Sequence, residues 1–135
     1  MTADGARSFD DHVQPFQIEA PGLRGRLVRL GPAVEAVIGS HRYPPAVAGQ
    51  LAEAMAMAAV LASGLKYDGI FTLQLQGDGP IGLMVVDVTS GGDLRGYARF
   101  EKERLAAPVR STEGPVPRLF GSAVLSFTVD QGPGT

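Results

Sequence analysis

The stretch LQLQGDGPIGLMVV, residues 73–86, sets a glycine-rich Gly77-Asp78-Gly79-Pro80 where a phosphate-gripping loop could sit. A P-loop needs a strand, a glycine-rich turn and then Lys-Ser/Thr opening a helix, so that backbone N–H groups and the lysine surround the phosphates. Here the turn opens into IGLMVV, a strand pattern with neither Lys nor Ser after it. A dinucleotide fingerprint fails for the same reason, because no helix N-terminus follows to hold a pyrophosphate. Residues 77–80 are therefore expected to form a hairpin turn, and not the two-residue kind. With Asp78-Gly79 as the loop, Pro80 would have to donate the closing N–H, which it lacks. A longer or bulged turn fits better.

Other chemistry-bearing residues are sparse. Asp87 and Asp93 flank the next turn and could pair as general acid and base, although aspartates around Thr-Ser-Gly-Gly are more often turn formers. His12 and His41 are the two histidines, with no His-x-x-x-His or carboxylate–histidine spacing to build a metal site. Ser40 precedes His41, and adjacent helix residues do not face each other, so they are no nucleophile–base pair. No Gly-x-Ser-x-Gly elbow occurs. The chain has no cysteine, which excludes a disulfide scaffold, a thiolate zinc site and a Cys nucleophile within it. Arg24 and Arg26 could grip an anion, but a solvated strand face is the favoured reading. Glu101, Lys102, Glu103 and Arg104 form a charge run that reads as a solvated stretch. Tyr97 and Phe100 lie on opposite strand faces and make no stacking platform for bases. No catalytic, cofactor-binding or metal residue is assigned, and an enzyme is not expected.

The elements that would position these groups follow from pattern. With 135 residues the chain suits one domain with one core. Twelve basic against fourteen acidic residues give a net charge of −2, which offers no basic face for nucleic acid and no polybasic membrane patch. The start, MTADGARSFDD, is polar without an apolar signal core, and residues 1–11 are expected to be a disordered tail. VQPFQIEA is expected to be extended, at an edge or bend. LRGRLVRL, 23–30, reads as a strand with Leu23 and Leu27 on one face and Arg24 and Arg26 on the other. GPAVEAVIGSH, 31–41, begins a helix with Pro32 at its first position, and His41 falls near its end.

A second helix starts after Pro45, and AMAMAAVLA, 54–62, has no polar side chain. Such a helix is apolar all round and expected to be buried on more than one side, with Gly64-Leu65 as a left-handed cap. The segment 44–66 is nearly long enough to span a membrane. Its many alanines and its Glu53, a carboxylate costing about 2.5–3.5 kcal/mol near a bilayer centre, favour a buried helix. IFTLQLQ (70–76), IGLMVVDV (81–88) and LRGYARF (94–100) read as a three-stranded meander. Residues 101–118 read as a connector and AVLSFTV (123–129) as a further strand.

HRYPPAV, LKYDGIFTLQLQGDGPIGLMVVDV and LRGYARFE, in this order, resemble the heat-shock protein 33 family, the 33 kDa chaperonins. The resemblance runs from His12 to Val129, and its most specific parts are LQLQGDGP and RGYA. It implies a cytoplasmic, redox-regulated and ATP-independent holdase chaperone that holds unfolding proteins under oxidative stress and dimerises when activated. It implies an α+β N-terminal domain, with sheets packed around a buried, Ala-rich central helix in β/α/β layers. It also implies a C-terminal domain that holds zinc through Cys-x-Cys and Cys-x-x-Cys motifs, released on oxidation.

This chain departs from the family in lacking cysteine and in stopping at Thr135. It reads as residues 12–135 of an incomplete N-terminal chaperone domain, with the zinc and redox domain absent and no zinc ligand or cofactor to carry over. The expected partners are unfolded clients and a second copy, with no nucleic acid and no membrane. A truncated sheet exposes a strand edge, so the chain is expected to pair with itself, and strand 81–88, apolar on both faces, is the expected place. Two other readings stand beside client holding. One is a structural or dimerisation module without client affinity. The other is a ligand-binding or enzymatic domain built on the glycine-rich turn and Asp87/Asp93.

Overall fold

A computed structural model describes residues 11–18, 22–106 and 114–131, apart from the Ser40 side chain. The elements are β1 (His12–Ile18), β2 (Leu23–Arg29), α1 (Pro32–His41), α2 (Pro45–Ser63), β3 (Ile70–Gly77), β4 (Ile81–Thr89), β5 (Leu94–Phe100), α3 (Lys102–Ala106), α4 (Pro115–Phe120) and β6 (Ala123–Asp130). The class is α+β: β3 to β6 form one antiparallel sheet of order β5-β4-β3-β6, and β1 and β2 form a separate antiparallel hairpin.

The core lies between α2 and the four-stranded sheet. Val47, Leu51, Met55, Ala58 and Ala62 recur every three or four residues, which lines one face of a helix, and all are buried. They meet Phe71 and Leu73 of β3, Met84 and Val86 of β4, and Ala98 of β5. Gly96 lets the helix settle close to β5, since a Cβ there would lie 3.2 Å from both Leu51 Cδ1 and Val37 Cγ1.

Helix α2 is packed on more than one side, as expected, by the sheet, by α1 and by the β1–β2 hairpin, but it is not covered all round. Met57 and Leu61 are 48% and 40% exposed, because only the sheet covers a full face, while α1 and the β1–β2 hairpin touch the helix more narrowly. The left-handed cap expected at Gly64 is also absent. Gly64 stays right-handed at φ −87° and ψ −4°. The last turn tightens instead, with Leu65 N–H donating to Ala62 O at 3.0 Å, an i→i+3 closure common at helix ends. A left-handed residue ends α1 instead, at Arg42 with φ +51°.

Helix α1 begins at Gly31, which has no side chain to cap it. Asp11 supplies one from the start of β1: its Oδ1 accepts from Gly31 N at 2.9 Å and its Oδ2 from Ala33 N at 3.1 Å. A carboxylate there satisfies orphan amides and complements the helix dipole. The rest of the expected tail, residues 1–10, lies outside the described residues.

The segment read as a plain connector contains two short helices, α3 and α4, with 107–113 outside the described residues. Pro115 opens α4, where its missing N–H is harmless. Leu119 and Phe120 at its end are buried and join the core, which a reading of charges and prolines alone overlooks.

Candidate functional site

The glycine-rich turn is a structural junction. Strand β3 ends at Gly77 and β4 starts at Ile81, so the loop is longer than two residues, as Pro80 requires. Gly79 N–H donates to Phe120 O at 2.9 Å, and Asp78 Oδ1 accepts from Ser122 N at 2.9 Å. On the other side, Arg104 of α3 donates to Asp78 O at 3.0 Å and to Gly79 O at 3.2 Å. Pro80 O accepts from Glu101 N at 2.9 Å. The turn's own amide and carboxylate thus bind the α4–β6 corner, and its carbonyls bind α3. Arg104, read as one member of a solvated charge run, is the fork that ties α3 to the turn.

Asp87 and Asp93 are engaged separately. Asp87 Oδ1 accepts from Thr72 Oγ1 at 2.7 Å, and its Oδ2 lies 3.4 Å from Arg95 Nη2. Asp93 serves the β4–β5 turn through its backbone: its N–H donates to Thr89 Oγ1 and its O accepts from Thr89 N, both at 2.9 Å. Asp87 is thereby a cross-strand partner and Asp93 a turn former. His12 Nε2 pairs with Gln14 Oε1 at 3.1 Å. His41 sits 5.5 Å from the Tyr43 ring and 6.4 Å from that of Tyr97, so it belongs to an aromatic cluster over the α1–α2 corner. Among the described residues, no three His, Asp or Glu side chains gather as metal ligands.

Tyr67 has a perturbed ionisation. Its hydroxyl donates to Val88 O at 2.9 Å, and desolvation by burial raises its pKa above the ordinary value. It lines a cleft of about 630 Å³ between α1, α2 and the β4–β5 turn.

The larger structural signal is exposed apolar surface. The strand expected to supply it, β4, is internal to the sheet, with Ile81, Met84, Val86 and Val88 buried. A strand apolar on both faces is favoured at the middle of a sheet, where both neighbours cover it. The outer strand β6 is exposed along its whole length, with Val124 69% and Phe127 52% exposed. The opposite edge, β5, is blunted at Ala98, whose N–H donates to Tyr43 Oη at 3.1 Å.

The β1–β2 hairpin adds a second apolar surface. Register pairs Phe16 with Gly25 and Ile18 with Leu23, so these residues share a face with Leu27. Phe16, Ile18, Leu23 and Leu27 are all exposed. Leu23 and Leu27 do share one face, as read from the sequence, but it is the outward one. The arginine face turns to α2 instead, where Arg26 Nη1 donates to Ser63 O at 3.1 Å. The carbonyls that end a helix carry partial negative charge, and a guanidinium satisfies them. Arg26 stays exposed, as a solvated strand face requires, and adds this tie to the end of α2.

The comparisons with known proteins bear on what such surfaces do. The family model described as Hsp33 protein matches residues 11–135. A 33 kDa chaperonin of Caulobacter vibrioides is 47% identical over 126 residues, covering 93% of this chain and 42% of the relative. One from Ectopseudomonas mendocina is 35% identical, covering 93% of this chain and 41% of the relative. A crystal structure of the 33 kDa chaperonin from Thermotoga maritima superposes with a TM-score of 0.73 at 25% identity, over 91% of this chain and 42% of that one. The chain therefore spans less than half the length of the relatives it matches.

Proposed function

The chain belongs to the Hsp33 family, and from that premise we propose that it is the client-holding and dimerising part of a redox-regulated, ATP-independent chaperone of the cytoplasm. The relatives are named chaperonins rather than enzymes; the Asp78 and Asp87 carboxylates are engaged in structural bonds, and Asp93 serves the β4–β5 turn through its backbone. The observation that carries the reading is exposed apolar surface on two elements, Phe16, Ile18, Leu23 and Leu27 on the hairpin and Val124, Leu125, Phe127 and Val129 on β6. Unfolding proteins expose apolar segments. Burying these against such a surface is favourable by roughly 25 cal/mol per Å² without any nucleotide.

Redox control belongs, in this reading, to the part of the relatives that the chain does not span. The zinc that the resemblance implies does not fit the residues here: the chain has no cysteine, and its described His, Asp and Glu side chains do not converge. No step of the holding activity is routed through it.

The open edge of β6 favours a second reading, a dimerisation module without client affinity of its own. Light scattering of a thermally unfolding client, with and without stoichiometric chain in reducing buffer without ATP, separates the two. Suppressed aggregation supports client holding by residues 1–135. Unsuppressed aggregation, with the chain shown folded by circular dichroism, leaves the dimerisation reading.

A further inference from the structure

The hairpin's charge is at odds with the rest of the chain. Strands β1 and β2 carry Arg24, Arg26 and Arg29 and no carboxylate, in a chain of net charge −2. The half of α2 that faces the hairpin, from Ala54 to Ser63, has no charged residue. Between them runs a groove of about 760 Å³. Val60 and Leu61 of α2 and Pro15 of β1 give it an apolar lining, and Arg24 and Arg26 a basic one.

The two arginines are not equivalent. Arg26 is held by Ser63 at the end of α2. Arg24, two residues earlier on the same face, is exposed and makes no hydrogen bond or ion pair among the described residues. It is a guanidinium available at the rim of an apolar groove, and its planar fork suits a carboxylate in bidentate geometry.

Resting on the chaperone reading above, we propose that this groove binds an extended client segment in which an apolar side chain neighbours a carboxylate. The apolar group packs on Val60 and Leu61, and the carboxylate pairs with Arg24. The groove's size favours this occupant over a second folded copy. Nine residues line it, against the roughly 20–30 residues a side of a stable protein–protein interface.

The test uses fluorescein-labelled peptides of equal length that alternate Leu with Asp, Leu with Lys, or Ser with Asp, titrated with the 135-residue chain and followed by anisotropy. The Leu/Asp peptide is expected to bind most tightly, with its advantage over Leu/Lys falling as salt rises. Arg24→Glu is expected to weaken it about three- to tenfold, and Leu61→Asp to abolish binding. Both side chains are exposed, and circular dichroism confirms that the variants fold. Glu103→Gln, on α3 and outside the groove lining, is expected to leave peptide binding unchanged.

Equal affinity for Leu/Asp and Leu/Lys, or an Arg24→Glu chain that binds as before, overturns the groove assignment. So does peptide affinity that falls as the chain self-associates, because a second copy then fills the groove. Aggregation suppression, measured in parallel, distinguishes the two levels. If the unaltered chain suppresses aggregation while the peptide tests fail, client holding stands and lies elsewhere. If it suppresses none, the chaperone reading fails on its own.

Discussion

Asp78 Oδ1 accepts the backbone N–H of Ser122 at 2.9 Å, across more than forty positions of sequence. Together with Gly79 N–H donating to Phe120 O at 2.9 Å, that bond ties the start of β6 to the β3–β4 turn. β6 then pairs with β3 in register from Gly77↔Ala123 to Ile70↔Asp130. The glycine-rich turn that resembles a ligand loop therefore acts as the anchor of the sheet's outer strand.

Replacing that anchor should loosen the corner without unfolding the domain. Asp78→Ala is expected to lower stability by about 1 kcal/mol, the usual cost of unpairing a capped amide. Gly79→Ala should cost more, about 2 kcal/mol or above, because a Cβ there would lie 2.5 Å from Leu119 O and 2.6 Å from Phe120 C, backbone atoms that cannot step aside. Urea denaturation checks both. Equal, negligible losses would show that the corner is held by β6 pairing alone.

The β6 edge predicts self-association. It is an outer strand without lysine or proline, eight residues long and exposed throughout, and such edges pair with other chains unless blocked. The chain is expected to sediment above monomer mass at high concentration. Val124→Lys, at a position already 69% exposed, should shift it severalfold toward monomer while leaving the fold intact. A monodisperse monomer at high concentration would count against edge pairing.

Much of the architecture is legible before any coordinates, and the exceptions share a cause. Helix α2, the β3–β4–β5 meander and the non-phosphate character of residues 77–80 follow from local periodicity and from proline's missing N–H. What local pattern cannot decide is which side of an element meets a neighbour. The alternation of Leu23, Arg24, Arg26 and Leu27 has the same period whether leucines or arginines turn inward. The choice goes to the arginines because the carbonyls ending α2 need a donor, and Ser63 is distant in sequence. Likewise β4 looks like the stickiest strand but sits inside the sheet, while β6 alternates less conspicuously and lies at the edge. The unpaired Arg24 beside Val60 and Leu61 is a juxtaposition of two elements that neither segment signals alone.

Tyr67 should give the fold an alkaline limit. Its phenol is desolvated, so its folded pKa is raised above the unfolded value of about 10. A raised folded pKa means that the protonated form is favoured in the native state. Its stabilising contribution is thus complete below the unfolded pKa and is lost as pH rises through the folded one. Tyr67→Phe removes the bond to Val88 O and should cost about 1 kcal/mol at neutral pH, while flattening the decline above about pH 10. Denaturant midpoints of both chains between neutral and strongly alkaline pH test this. Parallel declines would mean that another group sets the limit.

The approach of α2 to the sheet makes a last prediction, because it joins packing to the proposed groove. At Gly96 a side chain would meet Leu51 Cδ1 and Val37 Cγ1 at 3.2 Å and Met55 Sδ at 3.6 Å. Leu51 and Met55 are fully buried, so neither can swing into solvent. Gly96→Val should overpack this contact and cost about 1–3 kcal/mol. The displaced element is the helix that carries Val60 and Leu61, so the same variant should also weaken the Leu/Asp peptide, though it lies on β5 rather than in the groove lining. Leu51→Ala removes the atoms in conflict. In a double-mutant cycle, Gly96→Val and Leu51→Ala should therefore be less damaging together than the sum of their separate effects, by roughly 0.5–3 kcal/mol. Strict additivity would mean that the helix does not rest on Gly96, and that the groove is positioned by the hairpin alone.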